Sequence, residues 1–183
     1  MPVSSLSVLP LYLLQWRVFP WLSAQLLRHW YPDFEDRNYV RVNCITTGME
    51  KLISKAGAIA SFLGLRTILL EQDHTVVEFD AGPQHANPMG TLHGGLFCDL
   101  SDYAMGTAWV SGLNEGESCT TIELKINFLS PFRTGKLIAE ARVVRRGRNL
   151  GFVECDVRDA NGKLLARASS TCMTLRGEHA AGR

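Results

Sequence analysis

One long apolar helix set inside a run of short alternating strands constrains this fold more than any other feature. Residues 93–111 read as that helix. Leu96, Phe97, Leu100, Ala104, Thr107 and Ala108 form one stripe, and Asp99, Asp102, Gly106 and Trp109 form a second at i, i+3, i+7 and i+10. Two strands are predicted before it, over 65–71 and 75–80, with Gln72-Asp73 as their turn. A loop rich in breakers (Gly82-Pro83, Asn87-Pro88, Gly90) leads into the helix. Four strands follow. Residues 121–129 alternate strictly, with Ile122, Leu124, Ile126 and Phe128 on one face and Thr121, Glu123, Lys125 and Asn127 on the other, until Ser130-Pro131 ends the run. Residues 136–146 and 152–159 read as a hairpin joined near Gly147 and Asn149. Asn161-Gly162 is a tight-turn signal, 163–175 is the last strand, and the final eight residues read as frayed. Upstream, Met49, Leu52, Ile53, Ala56, Ile59, Ala60 and Leu63 recur at helical spacing, with Gly64 as the stop. The expected architecture is α+β, a mostly antiparallel sheet wrapped around one long central helix. Such a sheet has long edges, and pairing across a two-fold axis is a common way to cover them.

At 183 residues the chain is sized for one domain, or one domain with an extension. Nineteen Lys+Arg against 18 Asp+Glu give a net charge of +1, without the basic excess a general nucleic-acid binder needs. The cysteines, Cys44, Cys98, Cys119, Cys155 and Cys172, are odd in number and include no C-x-x-C pair. A disulfide framework or a zinc site is therefore not expected, and a reducing cytoplasm is the simplest location. Residues 6–31 stand apart in composition and hold three of the four tryptophans, Trp16, Trp21 and Trp30. Arg17, Pro10 and Pro20 make the segment a poor membrane span, and no basic stretch precedes it as in a signal peptide. Contact with a membrane surface or a partner is one reading. Packing on its own domain, or no role, is the other, and the missing basic face favours it. Residues 32–47 read as a polar linker.

The segment from Asn87 to Ala108 carries the chemistry. Gly94 and Gly95 sit where a loop enters the helix, so their N–H groups lack acceptors within it. A helix start with free N–H groups suits an anion or a developing oxyanion. Asp102 lies about two turns on, and a carboxylate in so apolar a helix is costly unless paired or functional.

These residues resemble the phenylacetate-pathway (PaaI-like) branch of hotdog-fold acyl-CoA thioesterases. The resemblance rests on His93-Gly94-Gly95, Asp102 nine positions after the His, and Asn87 six before it. It extends through Ile126-Asn-Phe-Leu-Ser-Pro131, the Arg146-Gly147-Arg148 turn and Ala166-Arg167-Ala168-Ser169. It implies a hotdog domain over 48–176, with 1–47 as an extension and linker and 177–183 as a tail. It further implies Asp102 as general base or nucleophile, Gly94 N–H polarising the thioester carbonyl, and Asn87 positioning the water or the carbonyl. Thr121 matches a Ser/Thr position near the carboxylate, with Thr120 and Ser118 as close neighbours. His93 and Gly95 would brace or line the thioester site, and Arg146, Gly147 and Arg148 would meet the phosphates of coenzyme A. No metal or organic cofactor is implied. The site would be shared, Asn87 and Gly94 from one subunit and the Asp from its mate, in a dimer or a dimer of dimers.

Plainer readings stand beside these. His93 braces the loop rather than reacting, Asp99 is a helix-side hydrogen-bond partner, Cys98 is a small core residue, and His85 belongs to the loop. The arginine cluster is either a phosphate contact or a solvated hairpin tip. Tyr103, Met105, Trp109 and Met89 either shape an acyl pocket for medium-chain or aromatic groups or belong to the core. A hydratase acting on enoyl or hydroxyacyl thioesters is one competing function, although its Asp-x-x-x-x-His pattern is absent. A non-catalytic acyl-CoA sensor is another, and it needs no carboxylate beside the thioester.

Overall fold

The structure is a computed structural model and describes residues 41–42 and 57–181. The chain divides into two units, Met1–Arg37 and Asn38–Arg183, and every described residue belongs to the second. The apolar segment 6–31 and the first part of the upstream helix lie outside the described residues. The end of that helix is α1, Ala58–Leu63. Gly64 closes it in the left-handed conformation at φ 73°, which glycine adopts without a Cβ penalty.

Seven strands form one sheet: β1 (Arg41–Val42), β2 (Arg66–Glu71), β3 (His74–Ala81), β4 (Ser118–Phe128), β5 (Gly135–Arg146), β6 (Leu150–Asp159) and β7 (Leu164–Leu175). Their order is β1-β2-β3-β5-β6-β7-β4. Only β1–β2 is parallel, and β1 falls within the stretch 32–47 that the sequence reads as a linker. α2 (Gly94–Val110) connects β3 to β4, and its inward side lies in the concavity of the sheet.

The core explains why these residues fold this way. Leu100, Ala104, Met105, Ala108 and Trp109 of α2 are fully buried against Val77, Phe79, Val153 and Val157. The sheet surface below the helix is largely small: Ala139, Ala141, Ala166 and Ala168 each lose nearly all exposure. Short side chains there let a helix with Trp and Met on its underside come close without overpacking.

Two details of β4 depart from strict alternation. The β4–β7 register shifts between Thr121 and Glu123, so Ile122 is the extra residue of a bulge and is 54% exposed instead of joining the apolar stripe. Beyond the bulge Leu124 and Ile126 pack on the core, and before it Thr121 also reaches the helix. The bulge thus turns Thr121 to the face of Leu124, although the sequence pattern places them on opposite faces. At the C-terminus, Gly177–His179 form a 3₁₀ turn where fraying is expected. Arg176 before it donates to Glu117 Oε1 (2.6 Å), Asn149 Oδ1 (2.8 Å) and the Arg148 carbonyl (2.8 Å). Among the described residues no helix is long and apolar enough to cross a membrane.

Candidate active site

The loop before α2 is held by its own side chains. Asn87 Oδ1 accepts from the Met89 amide (2.9 Å) and the Thr91 amide (3.2 Å), and Asn87 Nδ2 donates to Thr91 Oγ1 (2.8 Å). Gly90 turns the loop at φ 72°, and Arg133 donates to its carbonyl at 3.0 Å. The His93 amide donates to the His85 carbonyl (3.0 Å), and the Leu92 amide to the Phe132 carbonyl (2.7 Å). These bonds fix the direction in which α2 starts. His93 is its N-cap, and its Nδ1 accepts from the Gly95 amide at 3.0 Å. An accepting Nδ1 in a neutral ring leaves the proton on Nε2. His85 is a loop residue held in the same way, with Nδ1 accepting from the Gly82 amide at 2.9 Å.

With Gly95 capped, Gly94 is the first helical residue, and its N–H has no acceptor among the described hydrogen bonds. It borders a pocket of about 330 Å³ lined by Asn87, Thr91, Leu92, Phe97 and residues 128–132. A Cβ on Gly94 would lie 3.1 Å from Phe128 Cζ, so the ring rests on this glycine. Phe128 also meets Phe97 edge-on, with ring centroids 5.9 Å apart. Asn87 and Gly94 therefore share one pocket.

Asp102 lies elsewhere. It is exposed on α2, and Thr121 Oγ1 donates to its Oδ1 at 2.9 Å. Eight residues separate it from Gly94, about 12 Å along a helix that rises 1.5 Å per residue. The carboxylate of one chain therefore does not reach the free amide of the same chain. Asp99, one turn earlier, is exposed and makes no side-chain hydrogen bond among the described residues.

The chain resembles known proteins over this region. Residues 89–166 match the Thioesterase superfamily. Human acyl-coenzyme A thioesterase 13 is 30% identical over 124 residues, covering 66% of this chain and 88% of the relative. A Saccharolobus solfataricus protein named as a candidate esterase is 36% identical over 128 residues, covering 70% of this chain and 91% of its own length. The chain belongs to the Thioesterase superfamily. Among solved structures, a Haemophilus influenzae thioesterase superposes with a TM-score of 0.66 at 26% identity, covering 73% of this chain and 96% of that one. The Escherichia coli PaaI protein of the phenylacetic acid degradation operon gives 0.65 at 25%, covering 69% and 91%. The fold is the hotdog fold, and the protein is a thioester hydrolase.

The other predicted site residues of this thioesterase are placed as follows. Tyr103 is half-buried, its hydroxyl 3.3 Å from Thr67 Oγ1. Met105 and Trp109 are fully buried core and Met89 is 78% exposed, so the two core residues do not line the pocket beside Gly94. The aromatic lining is instead Phe97, Phe128 and Phe132. Only their shared nearness to His93-Gly94 and Ser130-Pro131 marks them in the sequence. Arg146 turns inward at the far end of α2. Its Nε donates to Asp73 Oδ1 (2.9 Å), an η nitrogen donates to the Trp109 carbonyl (2.7 Å), and its guanidinium carbon lies 3.9 Å from the Trp109 ring centroid. A cation there also suits the negative end of the helix dipole. Arg145 and Arg148 remain exposed, and the Gly147 amide donates to the Leu150 carbonyl at 2.9 Å. We therefore expect Arg146→Met to cost about 1.5–3 kcal/mol, the weight of hydrogen bonds to a charged group. Thermal unfolding measures that loss, while KM for a coenzyme A thioester stays unchanged.

Three of the cysteines, Cys98, Cys155 and Cys172, are disfavoured as nucleophiles. Burial raises the Cys98 thiol above its usual range, and the carboxylates of Asp99 and Asp102 raise it further. Burial raises Cys172 likewise, with Asp102 adding to it, and pushes Cys155 up to about 12. A thiol that stays protonated is a poor nucleophile.

Proposed function

We propose that this protein is an acyl-CoA thioesterase, working as a homodimer or a dimer of dimers in the cytoplasm. In this reading Asp102 of one protomer and the Gly94 amide of its partner act on the same thioester. The hydrogen bond from Thr121 to Asp102 carries the reading. It fixes an exposed carboxylate on the same helix whose first amide has no acceptor among the described residues.

Along the base route, Asp102 takes a proton from water as the oxygen attacks the thioester carbonyl. The tetrahedral oxyanion accepts from Gly94 N–H, and its collapse expels the coenzyme A thiolate, which takes up a proton. Along the nucleophile route, Asp102 attacks the carbonyl, the thiolate leaves, and water hydrolyses the mixed anhydride. Thr121 holds the carboxylate by one oxygen and leaves the other for either step. Asn87 uses its oxygen and one N–H in the loop, so its second N–H is available to the water or the carbonyl. His93, capping α2 through Gly95, supports the amide rather than reacting. The pocket of Phe97, Phe128 and Phe132 would take an apolar acyl group. The exposed Arg145 and Arg148, with the Gly147 turn between them, would meet coenzyme A phosphates. Residues 48–176 would be the catalytic domain, with 1–47 an extension and 177–183 a tail.

The test is a thiol-release screen of the full chain with short, medium, long and aryl acyl-CoAs and with crotonyl-CoA. Free thiol should appear in proportion to acid formed. Loss of enoyl absorbance without thiol would make the protein a hydratase, and tight binding without thiol across the panel would make it a sensor.

A further inference from the structure

We propose that Arg176 is a positioning residue for coenzyme A: it clamps the β5–β6 turn so that the side chain of Arg148 is held ready for a phosphate of the substrate. The inference deepens the acyl-CoA reading and rests on it for the identity of the ligand.

The turn is tied down on both flanks. Before it, Arg146 is bonded inward to Asp73 and the Trp109 carbonyl. From beyond the end of β7, Arg176 reaches the other flank, and each of its three guanidinium nitrogens donates to a different group. Nε goes to Glu117 Oε1 (2.6 Å), one η nitrogen to Asn149 Oδ1 (2.8 Å) and the other to the Arg148 carbonyl (2.8 Å). The backbone adds two ties, from the Gly147 amide to the Leu150 carbonyl (2.9 Å) and from the Thr174 amide to the Asn149 carbonyl (2.8 Å).

Glu117 is the anchor of the clamp. It lies in the loop before β4, and both of its oxygens are used. Oε1 accepts from Arg176, and Oε2 accepts from the Asn114 amide (2.8 Å) and side-chain nitrogen (3.1 Å). The charge of Arg176 is thus matched within the chain, and its nitrogens are engaged. Arg148 is the opposite case. It is exposed, and its guanidinium has no hydrogen bond or ion pair among the described residues. The turn therefore presents one uncommitted cation on a fixed backbone.

That combination suits binding more than stability. The Arg176 side chain is 45% exposed, and an exposed ion pair adds little to stability. A guanidinium fork matches a phosphate, but a loose turn must be ordered before it can hold one, and that cost is subtracted from affinity. With the backbone already fixed, the Arg148 side chain alone remains to be ordered.

Two substrates with the same acyl group test this on the full chain: the coenzyme A thioester, and the N-acetylcysteamine thioester, which carries no phosphate. Arg148→Gln should raise KM for the coenzyme A thioester at least about tenfold, the weight of a hydrogen bond between charged groups. Arg176→Met should raise it about two- to tenfold, the cost of ordering a long side chain. Its kcat, and its KM for the N-acetylcysteamine thioester, should stay at the wild-type values. Arg148→Gln/Arg176→Met should be no worse than Arg148→Gln alone, because the clamp acts through Arg148. Asn149→Ala cuts one tie without changing any charge and should move KM in the same direction. It separates positioning from loss of a cation, and it carries the test if Arg176→Met does not fold. The dissociation constant of coenzyme A itself, measured by calorimetry, should follow KM through the series. Additive effects in the double variant, equal losses on both thioesters, or an unchanged coenzyme A KM in Arg176→Met and Asn149→Ala would overturn the clamp and leave the acyl-CoA reading standing. The same pattern of coenzyme A binding in a protein that hydrolyses neither thioester would support the clamp and remove the hydrolase. Coenzyme A binding indifferent to Arg148→Gln would overturn the clamp together with the phosphate contact.

Discussion

Asp102→Asn lowers thioester hydrolysis by about 10²–10⁴, the usual weight of a positioned general base. The substitution keeps the shape and keeps an oxygen for the Thr121 hydroxyl, now bonded at 2.9 Å, so the helix and β4 have no reason to move. The variant loses the ability to take a proton or to form an anhydride. The loss should therefore fall on kcat with KM nearly unchanged, as expected for a group acting mainly in the transition state. Steady-state thiol release together with acyl-CoA binding to the variant measures both quantities. Hydrolysis at the wild-type rate would remove Asp102 from the mechanism. A single turnover of the wild type in heavy-oxygen water separates the two routes. The base route puts the label in the product acid, whereas water attacking the anhydride at the Asp102 carbonyl puts it in the enzyme.

The helix and its flanking strands were legible because each carries one clean period. α2 begins and ends within a residue of the stretch predicted from its apolar spacing, since His93 caps it and Ser111 stops it. The last strand is equally clear, and the hairpin after Gly147 starts two residues earlier than predicted. The bulge at Ile122 was not legible. An apolar residue in an alternating run looks the same whether it is paired or extra, and the cost of leaving it exposed is repaid only where Thr121 turns to meet Asp102.

The site divides along the same line. Asp102 and Thr121, 19 residues apart, could be joined through a resemblance that spans both, and they are hydrogen-bonded. The arginine turn could not be resolved by type, because a guanidinium suits a phosphate as well as an aspartate or an indole. Only the nearness of Asp73 and Trp109 commits Arg146 to the interior. Phe128 falls on the apolar side of its strand in either view. Its place over Gly94 depends on a contact between distant segments that no local period encodes.

Trp109→Ala should cost about 3–5 kcal/mol, among the larger effects open to one core residue. The ring is fully buried, and a Cβ added to Gly151 would come within 2.1 Å of it, so indole and strand backbone are in direct contact. Its other face carries the Arg146 guanidinium at 3.9 Å, which also holds Asp73 of the β2–β3 turn. Removing the ring opens a void and strips the arginine of its stacking surface, loosening the joint between the helix end, that turn and β5. For a domain of this size the melting temperature should fall by about 6–20 °C, with Trp109→Phe giving a smaller drop. Asp102 lies seven residues earlier, about two turns up the helix. Turnover measured well below the melting transition should therefore stay within a few fold of wild type. A large loss of kcat in a folded Trp109→Ala protein would mean that the far end of α2 positions the carboxylate, so that stability and chemistry in this helix are not separable.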